Sequence, residues 1–187
     1  MQMSPAPGRP RYALARNRAG VLLALTGRRP PVDIQALIER AGIAIVDRAL
    51  LDGVRGTIGD VAGRRAIILN RQWRFASENE KRWVLAEELG HVLLGHRLVE
   101  STQPGVPQLG LLEECRFIYE REARAFAAEL LMPLVEVRTR WFAAVSGRFG
   151  PSREASTDDF VHTLAQEFGV TPGAMRIRLQ ALRLVKR

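Results

Sequence analysis

One cysteine, Cys115, stands in the 187 residues, so no intrachain disulfide can form. By residue type it is expected as a small buried hydrophobe. Long apolar runs are absent as well. The opening "MQMSPAPGRPRYALARNRAG" has no stretch of the kind a secretory leader carries, and the "VLLALTG" that follows is far too short to span a bilayer. These absences point to a cytoplasmic protein with no membrane partner. Acidic residues are outnumbered, 20 Asp and Glu against 28 Lys and Arg, which leaves a formal charge of +8. That surplus favours acidic partners, of which nucleic acid is the commonest. No internal repeat is visible. What is present in ordinary measure is hydrophobic content, 47%, enough for one domain with a real core and a small appendage.

Along the chain, residues 1–11 read as a basic disordered tail. Helices are expected over "ALARNRAGVLLALTG" and "VDIQALIERAG", the second stopped by Gly42. "IAIVDRAL", "GVRGTIGD" and "RAIILN" alternate β-branched runs with Gly and Asp and read as strands of a small sheet. A central helix opens at "SENE", where Ser77 caps and Glu80 completes a capping box. "RLVESTQPGVPQLG" reads as a loop. A long helix follows from about Leu111 to Met132, with another over "VEVRTRWFAAV". "SGRFGPSREAS" is expected as a flexible loop before two closing helices, capped by Thr157 and Thr171, with Pro172 at a first helical position.

Two of these helices bury charge. On a wheel, Trp83, Val84, Leu85, Ala86, Leu89, Val92, Leu93 and Leu94 cover nearly the whole circumference, the pattern of a buried helix. Glu87, Glu88 and His91 nevertheless share an arc of about a quarter turn. Ionisable groups buried without partners cost several kcal/mol each, so a metal, a cation or water must satisfy them. The helix after the loop has an apolar arc of Phe117, Ala123, Phe126, Ala127, Leu130 and Leu131. Glu120 lies within it and Arg124 follows one turn later on the same side, whereas Glu122 falls on the charged face with Arg121. The inward set is therefore Glu87, Glu88, His91, Glu120 and Arg124, and a salt-bridge network between two core helices explains it as readily as a metal site.

"WVLAEELGHVLLGH" followed by "EREARAFAAELLMP" resembles the ImmA/IrrE family of metallopeptidases, and the order of segments agrees over about residues 20–185. The resemblance implies an α+β fold: a small, mostly antiparallel sheet against a gluzincin-like helical core, with a C-terminal pair resembling a helix-turn-helix. The expected division is 12–145 for the metallopeptidase-like domain and 146–187 for a loop and helical subdomain. Carried over, Glu88 is the general base, His91 and Glu120 are metal ligands, and a helix-turn-helix repressor is the substrate or partner.

Two positions depart from that pattern. Glu87 stands where the family's first ligand is His, and Arg124 stands where an acid or amide often supports that ligand. Together they suggest a buried Glu87–Arg124 salt bridge, whose disruption would cost on the order of 3–5 kcal/mol. The Glu/His/Glu set still admits zinc or another divalent cation, but a guanidinium repels a dication and competes for the carboxylate, so metal is expected weakly bound or absent. His96 lies about 140° from His91 on the wheel and His162 is on a distant helix; neither reads as a replacement ligand. Three functions follow: a repressor-directed metallopeptidase, a pseudopeptidase that binds its partner without cutting, or a DNA-binding regulator using Arg176 and Arg178 on the last helix.

Overall fold

The computed structural model describes residues 8–26, 29–96, 98–100, 109–111, 113–147 and 156–186, without the side chains of 26, 98–100, 109–111 and 113–115. The Cys115 thiol, residues 1–7 of the expected tail and residues 148–155 of the expected flexible loop lie outside this description. The order is α1 (Tyr12–Thr26), α2 (Ile34–Arg40), β1 (Ala44–Arg48), β2 (Gly56–Val61), β3 (Arg64–Asn70), α3 (Glu78–Leu93), β4 (Leu98–Glu100), β5 (Leu109–Leu111), α4 (Glu113–Leu131), α5 (Leu134–Val145), α6 (Thr157–Phe168) and α7 (Pro172–Ala181). This is the α+β class that the sequence implied.

The three-stranded sheet has order β1-β3-β2. β3 runs parallel to β1 and antiparallel to β2, so this sheet is mixed. β3 is central, and Ala66–Asn70 are all buried, as expected of a strand covered on both faces. β4 and β5 form a separate antiparallel pair inside the segment expected as a loop.

α3 starts where its cap predicts. The Ser77 hydroxyl accepts the Glu80 N–H at 3.2 Å, and Glu80 reaches back to the Ala76 N–H at 2.7 Å, closing the box one residue early. β2 presses on α3 at Gly56, where a Cβ would sit 3.0 Å from Val84 Cγ1 and 3.5 Å from Glu88 Cγ. α3 meets α4 closely at Gly90, where a Cβ would sit 2.9 Å from the Phe126 ring. The absence of side chains at these two glycines lets three elements converge on Glu87, Glu88 and His91.

α4 packs against both α1 and α3, so it has two buried faces. Phe126 and Leu130 are fully buried in the shared core, each contributing about 1.5–3 kcal/mol. Phe117, expected in the apolar arc, is instead 70% exposed and lies under the Arg121 guanidinium.

The C-terminal pair joins the same core through Phe160, Val161, Leu164, Phe168, Met175 and Leu179. Ser156, not Thr157, caps α6, with Asp159 completing the box; Thr171 caps α7 as expected. Gly169 ends α6 in the left-handed conformation, φ 61°, which turns its carbonyl toward α3. Arg82 of α3 donates to that carbonyl at 3.0 Å and to the Val32 carbonyl at 2.8 Å.

Candidate charged site between the central helices

α3 brings Glu87, Glu88 and His91 to the α4 side of the core, and α4 answers with Glu120 and Arg124. Glu87 is 7% exposed, and a different guanidinium takes each of its oxygens. Arg124 Nε lies 3.4 Å from Oε1 and Arg55 Nη2 lies 3.5 Å from Oε2. Arg55, at the entry to β2, is not singled out by the sequence, because nothing local ties a strand-edge arginine to a helical glutamate 32 residues later. Arg124 also faces Glu120 Oε2 at 3.7 Å. Its side chain is 60% exposed, so the pair is not buried on both sides as expected: a solvated arginine reaches over a buried carboxylate. Burial raises the Glu87 pKa, opposed by a Trp83 hydrogen bond and the two arginines.

Glu88 shares the crowding without the cations' full benefit. Burial, then the charges of Glu87 and Glu120, push its carboxyl up to about 8, with Arg55 pulling the other way. A carboxyl shifted that far holds its proton over part of the neutral range, and the general-base role of Glu88 stays what the family resemblance implies.

His91 is the start of a second cluster. Its Nδ1 lies 2.8 Å from Nδ1 of His96, and His96 Nε2 lies 3.0 Å from Glu122 Oε2. Glu122 is completely buried and accepts three donors of Arg11: the backbone N–H at 2.6 Å, Nε at 3.0 Å and Nη2 at 2.8 Å. Tyr119 stacks on the His96 ring at 4.3 Å. Three sequence expectations change here. Glu122 does not face solvent, Arg11 is not part of a loose tail, and His96 does not point away from His91.

The reason for the last is local. Gly95 adopts φ 66°, and the His96 N–H bonds back to the His91 carbonyl at 3.1 Å. This left-handed glycine ending folds the next residue over the last turn, where the helical wheel no longer applies.

The protonation of this chain follows from its ends. Burial pushes the Glu122 carboxyl up, but the Arg11 and His96 hydrogen bonds outweigh it and hold it low. An ionised Glu122 only accepts, so His96 Nε2 carries the proton. Burial lowers His96, against the pull of Glu122, and lowers His91 to about 3, so both rings are neutral near pH 7. His96 Nδ1 is then an acceptor and His91 Nδ1–H its donor. The His91 Nε2 lone pair is left facing Glu120 Oε1 at 4.0 Å.

The donors can be weighed against a divalent cation. His91 Nε2 and Glu120 suit one, as a lone pair and a carboxylate across a short gap. Glu87 does not, since its oxygens are engaged by Arg55 and Arg124, and these guanidiniums place permanent positive charge beside the gap. Among the described residues no three His, Cys, Asp or Glu side chains group so as to hold a metal. The set present does not fit a tightly held zinc.

Of the two arginines expected to contact DNA from the last helix, one is buried. Arg178 is 8% exposed, pairs with Glu129 and donates to the Met132 carbonyl at 3.0 Å. It fastens α7 to the end of α4. Arg176 pairs with Asp158 at 2.6 Å, and His162 is exposed. Among the described residues no helix is long and apolar enough to cross a membrane.

A family profile described as the IrrE N-terminal-like domain, a peptidase domain, matches residues 38–180. Among solved structures, a Mycobacterium tuberculosis transcriptional regulator is similar with a TM-score of 0.56 at 17% identity. The likeness covers 90% of this chain and 46% of that one, so the chain spans about half of the regulator's length. At that identity the likeness is one of fold. A search of curated protein sequences returns no match.

Proposed function

The chain belongs to the IrrE N-terminal-like peptidase family, and we propose that within it this protein is a regulator that binds a helix-turn-helix repressor without cutting it. The observation that carries this reading is the occupation of Glu87. The residue in the family's first-ligand position has each carboxylate oxygen against a guanidinium, at 3.4 and 3.5 Å. Two guanidiniums compete with any dication for that carboxylate, and crowding pushes the neighbouring Glu88 carboxyl up to about 8. The regulatory part of the reading draws support from the fold shared with a transcriptional regulator, and the repressor partner from the family resemblance.

A second reading, a weak metallopeptidase, is favoured by one observation: the His96–Glu122 chain leaves the His91 Nε2 lone pair directed at Glu120. In that reading a loosely held zinc or other divalent cation rests on His91 and Glu120, with Glu87 as a poor third ligand.

Metal content separates the two. Protein purified without a histidine tag or chelator, then dialysed, is expected to retain zinc well below one equivalent. A full equivalent held tightly overturns the non-cutting reading. Glu87→His combined with Arg124→Asp rebuilds the family's ligand and its support, and is expected to gain zinc affinity where either single change does not. Simple additivity of the two changes would show the positions to be uncoupled.

A further inference from the structure

We propose that the groove bounded by α1, α4 and α7 is a docking site for an acidic, amphipathic helix of a partner protein. The groove encloses about 890 Å³, at the upper end of ordinary ligand sites. Its floor is apolar, formed by Trp83, Ala125, Ala128, Met132 and Ala174, with Ile177 on its edge. Ile177 is 68% exposed, a large hydrophobe left in water. Around this floor stand Arg16, Arg55, Arg121 and Arg124, against the single carboxylate of Glu80.

The charge is unbalanced at close range. Arg55 is shared between Glu80 and Glu87, and Arg124 between Glu87 and Glu120, at 3.4 to 3.8 Å, so the free positive charge of the rim rests on Arg16 and Arg121. Arg121 lies over the rings of Tyr12 and Phe117. Among the described residues no carboxylate lies within ion-pairing distance of Arg16 or Arg121. An apolar floor with a cationic rim selects an occupant with the opposite pattern: an apolar face flanked by carboxylates.

The shape favours a helix. The α4 wall runs from Arg121 to Met132, a length of roughly 16 Å or three helical turns at 1.5 Å per residue. Duplex nucleic acid fits poorly, because its phosphates would be set against an apolar, concave floor. The proposal takes from the proposed function only that the partner is a protein; it holds whether or not the neighbouring charged site binds metal.

Because Arg55 and Arg124 serve both Glu87 and the groove, carboxylates of the occupant compete with Glu87. Glu87→Gln removes the carboxylate that the two arginines share, leaving Arg55 with Glu80 and Arg124 with Glu120, and is expected to tighten the acidic helix.

The test uses fluorescence anisotropy on the full chain. The probe is a labelled helical peptide with leucines at i, i+3, i+4 and i+7 and glutamates flanking them. A lysine-for-glutamate version is the control. The acidic peptide is expected to bind with an affinity that falls with salt, and the basic one not to bind. Arg16→Glu with Arg121→Glu should weaken binding roughly tenfold, as reversal of two rim charges implies. Ala128→Trp fills the floor and should abolish it. Ala181→Trp, at the exposed end of α7 on the opposite side of the groove, serves if the first variant does not fold. Equal binding of both peptides, no binding of the acidic one, or indifference to the filled floor overturns the proposal. Displacement of the peptide by duplex DNA that depends on the same arginines also overturns it. Zinc measured on the same sample keeps the two readings apart: a full equivalent sinks the non-cutting function and leaves the groove standing.

Discussion

The α3–α4 interface carries two charged clusters, built from neighbouring residues yet held by different physics. In the outer one, Glu87 and Glu120 meet Arg55 and Arg124 across gaps of 3.4 to 3.7 Å, and the arginine side chains are 36% and 60% exposed. In the inner one, Glu122, His96 and Arg11 are joined at 2.6 to 3.1 Å, with the Glu122 and His96 side chains fully buried. Water and salt screen the first; the second is shielded at Glu122 and His96 and meets water only at Arg11, whose side chain is 41% exposed. The difference assigns them separate tasks. The inner cluster holds the fold and sets the tautomer of His91. The outer cluster can exchange partners at small cost, which is what a site that must bind something requires.

Breaking the inner cluster should give the largest effect. Glu122→Ala strands a buried imidazole N–H and removes the carboxylate from Arg11, at a cost of about 3 kcal/mol, the low end for a broken buried pair because Arg11 can turn to water. For a chain of this size that is a fall in Tm of roughly 6–12 °C, read by calorimetry. A loss under about 1 kcal/mol would place the inner cluster in the same regime as the outer.

The pH dependence of stability sharpens the contrast. His91 and His96 have lowered pKa values in the folded state, so each favours unfolding as pH falls below about 6.5. Glu88 has a raised one, near 8. Its carboxyl is neutral in both states below about 4.5, and its penalty grows as pH rises from there toward 8. Between about 4.5 and 6.5 the two histidines raise stability with pH while Glu88 and the likewise raised Glu87 lower it, so the slopes oppose one another. Above about 6.5 the histidines are neutral in both states and the raised carboxyls remain, Glu88 with Glu87 in the same direction, so stability should decline toward pH 8, the Glu88 share being about 1.4 kcal/mol per unit at most. Urea unfolding from pH 5 to 9 checks this, and Glu88→Gln should flatten the alkaline limb. A wild-type profile that rises from 6.5 to 8 would contradict the crowded carboxyl.

The smallest effect belongs to the outer cluster. Arg124→Ala is expected to cost less than about 1 kcal/mol, because the arginine is solvated and Arg55 remains on Glu87. This replaces the 3–5 kcal/mol expected of a pair buried on both sides. A loss of that larger size, read as the shift of the urea midpoint, would restore the original expectation.

What could be read in the sequence divides along the same line. The Ser77 cap, the approach of Glu120 to His91 and that of Arg124 to Glu87 follow from spacing within one or two helices, although the Glu120 side chain stays 35% exposed and does not turn into the core. The inner cluster does not. A wheel that puts Glu120 toward the core must put Glu122 about 200° away, and that direction looks like solvent unless a third helix covers it. α1 does cover it, but its partner residue Arg11 is 111 positions distant in the chain. His96 was lost for another reason, since a wheel continued past Gly95 into a turn. The glycine itself was the usable signal, because a left-handed ending returns the second residue after the helix over its last turn. Arg178 was misplaced for want of the same long-range information: only the packed fold sets Glu129 and the Met132 carbonyl before it.

The reach of the Arg11–Glu122 contact also bears on how the chain comes to be folded. Synthesis at about 5–20 residues per second separates the two ends by roughly 6–22 s. Through that interval α1 exists without the carboxylate that receives Arg11 and without the α4 face that covers its own apolar side. A contact of this sequence separation forms late and slowly, since loop closure precedes any gain from it. The histidine that faces Glu120 thus acquires its final orientation only after the first helix has waited for the fourth.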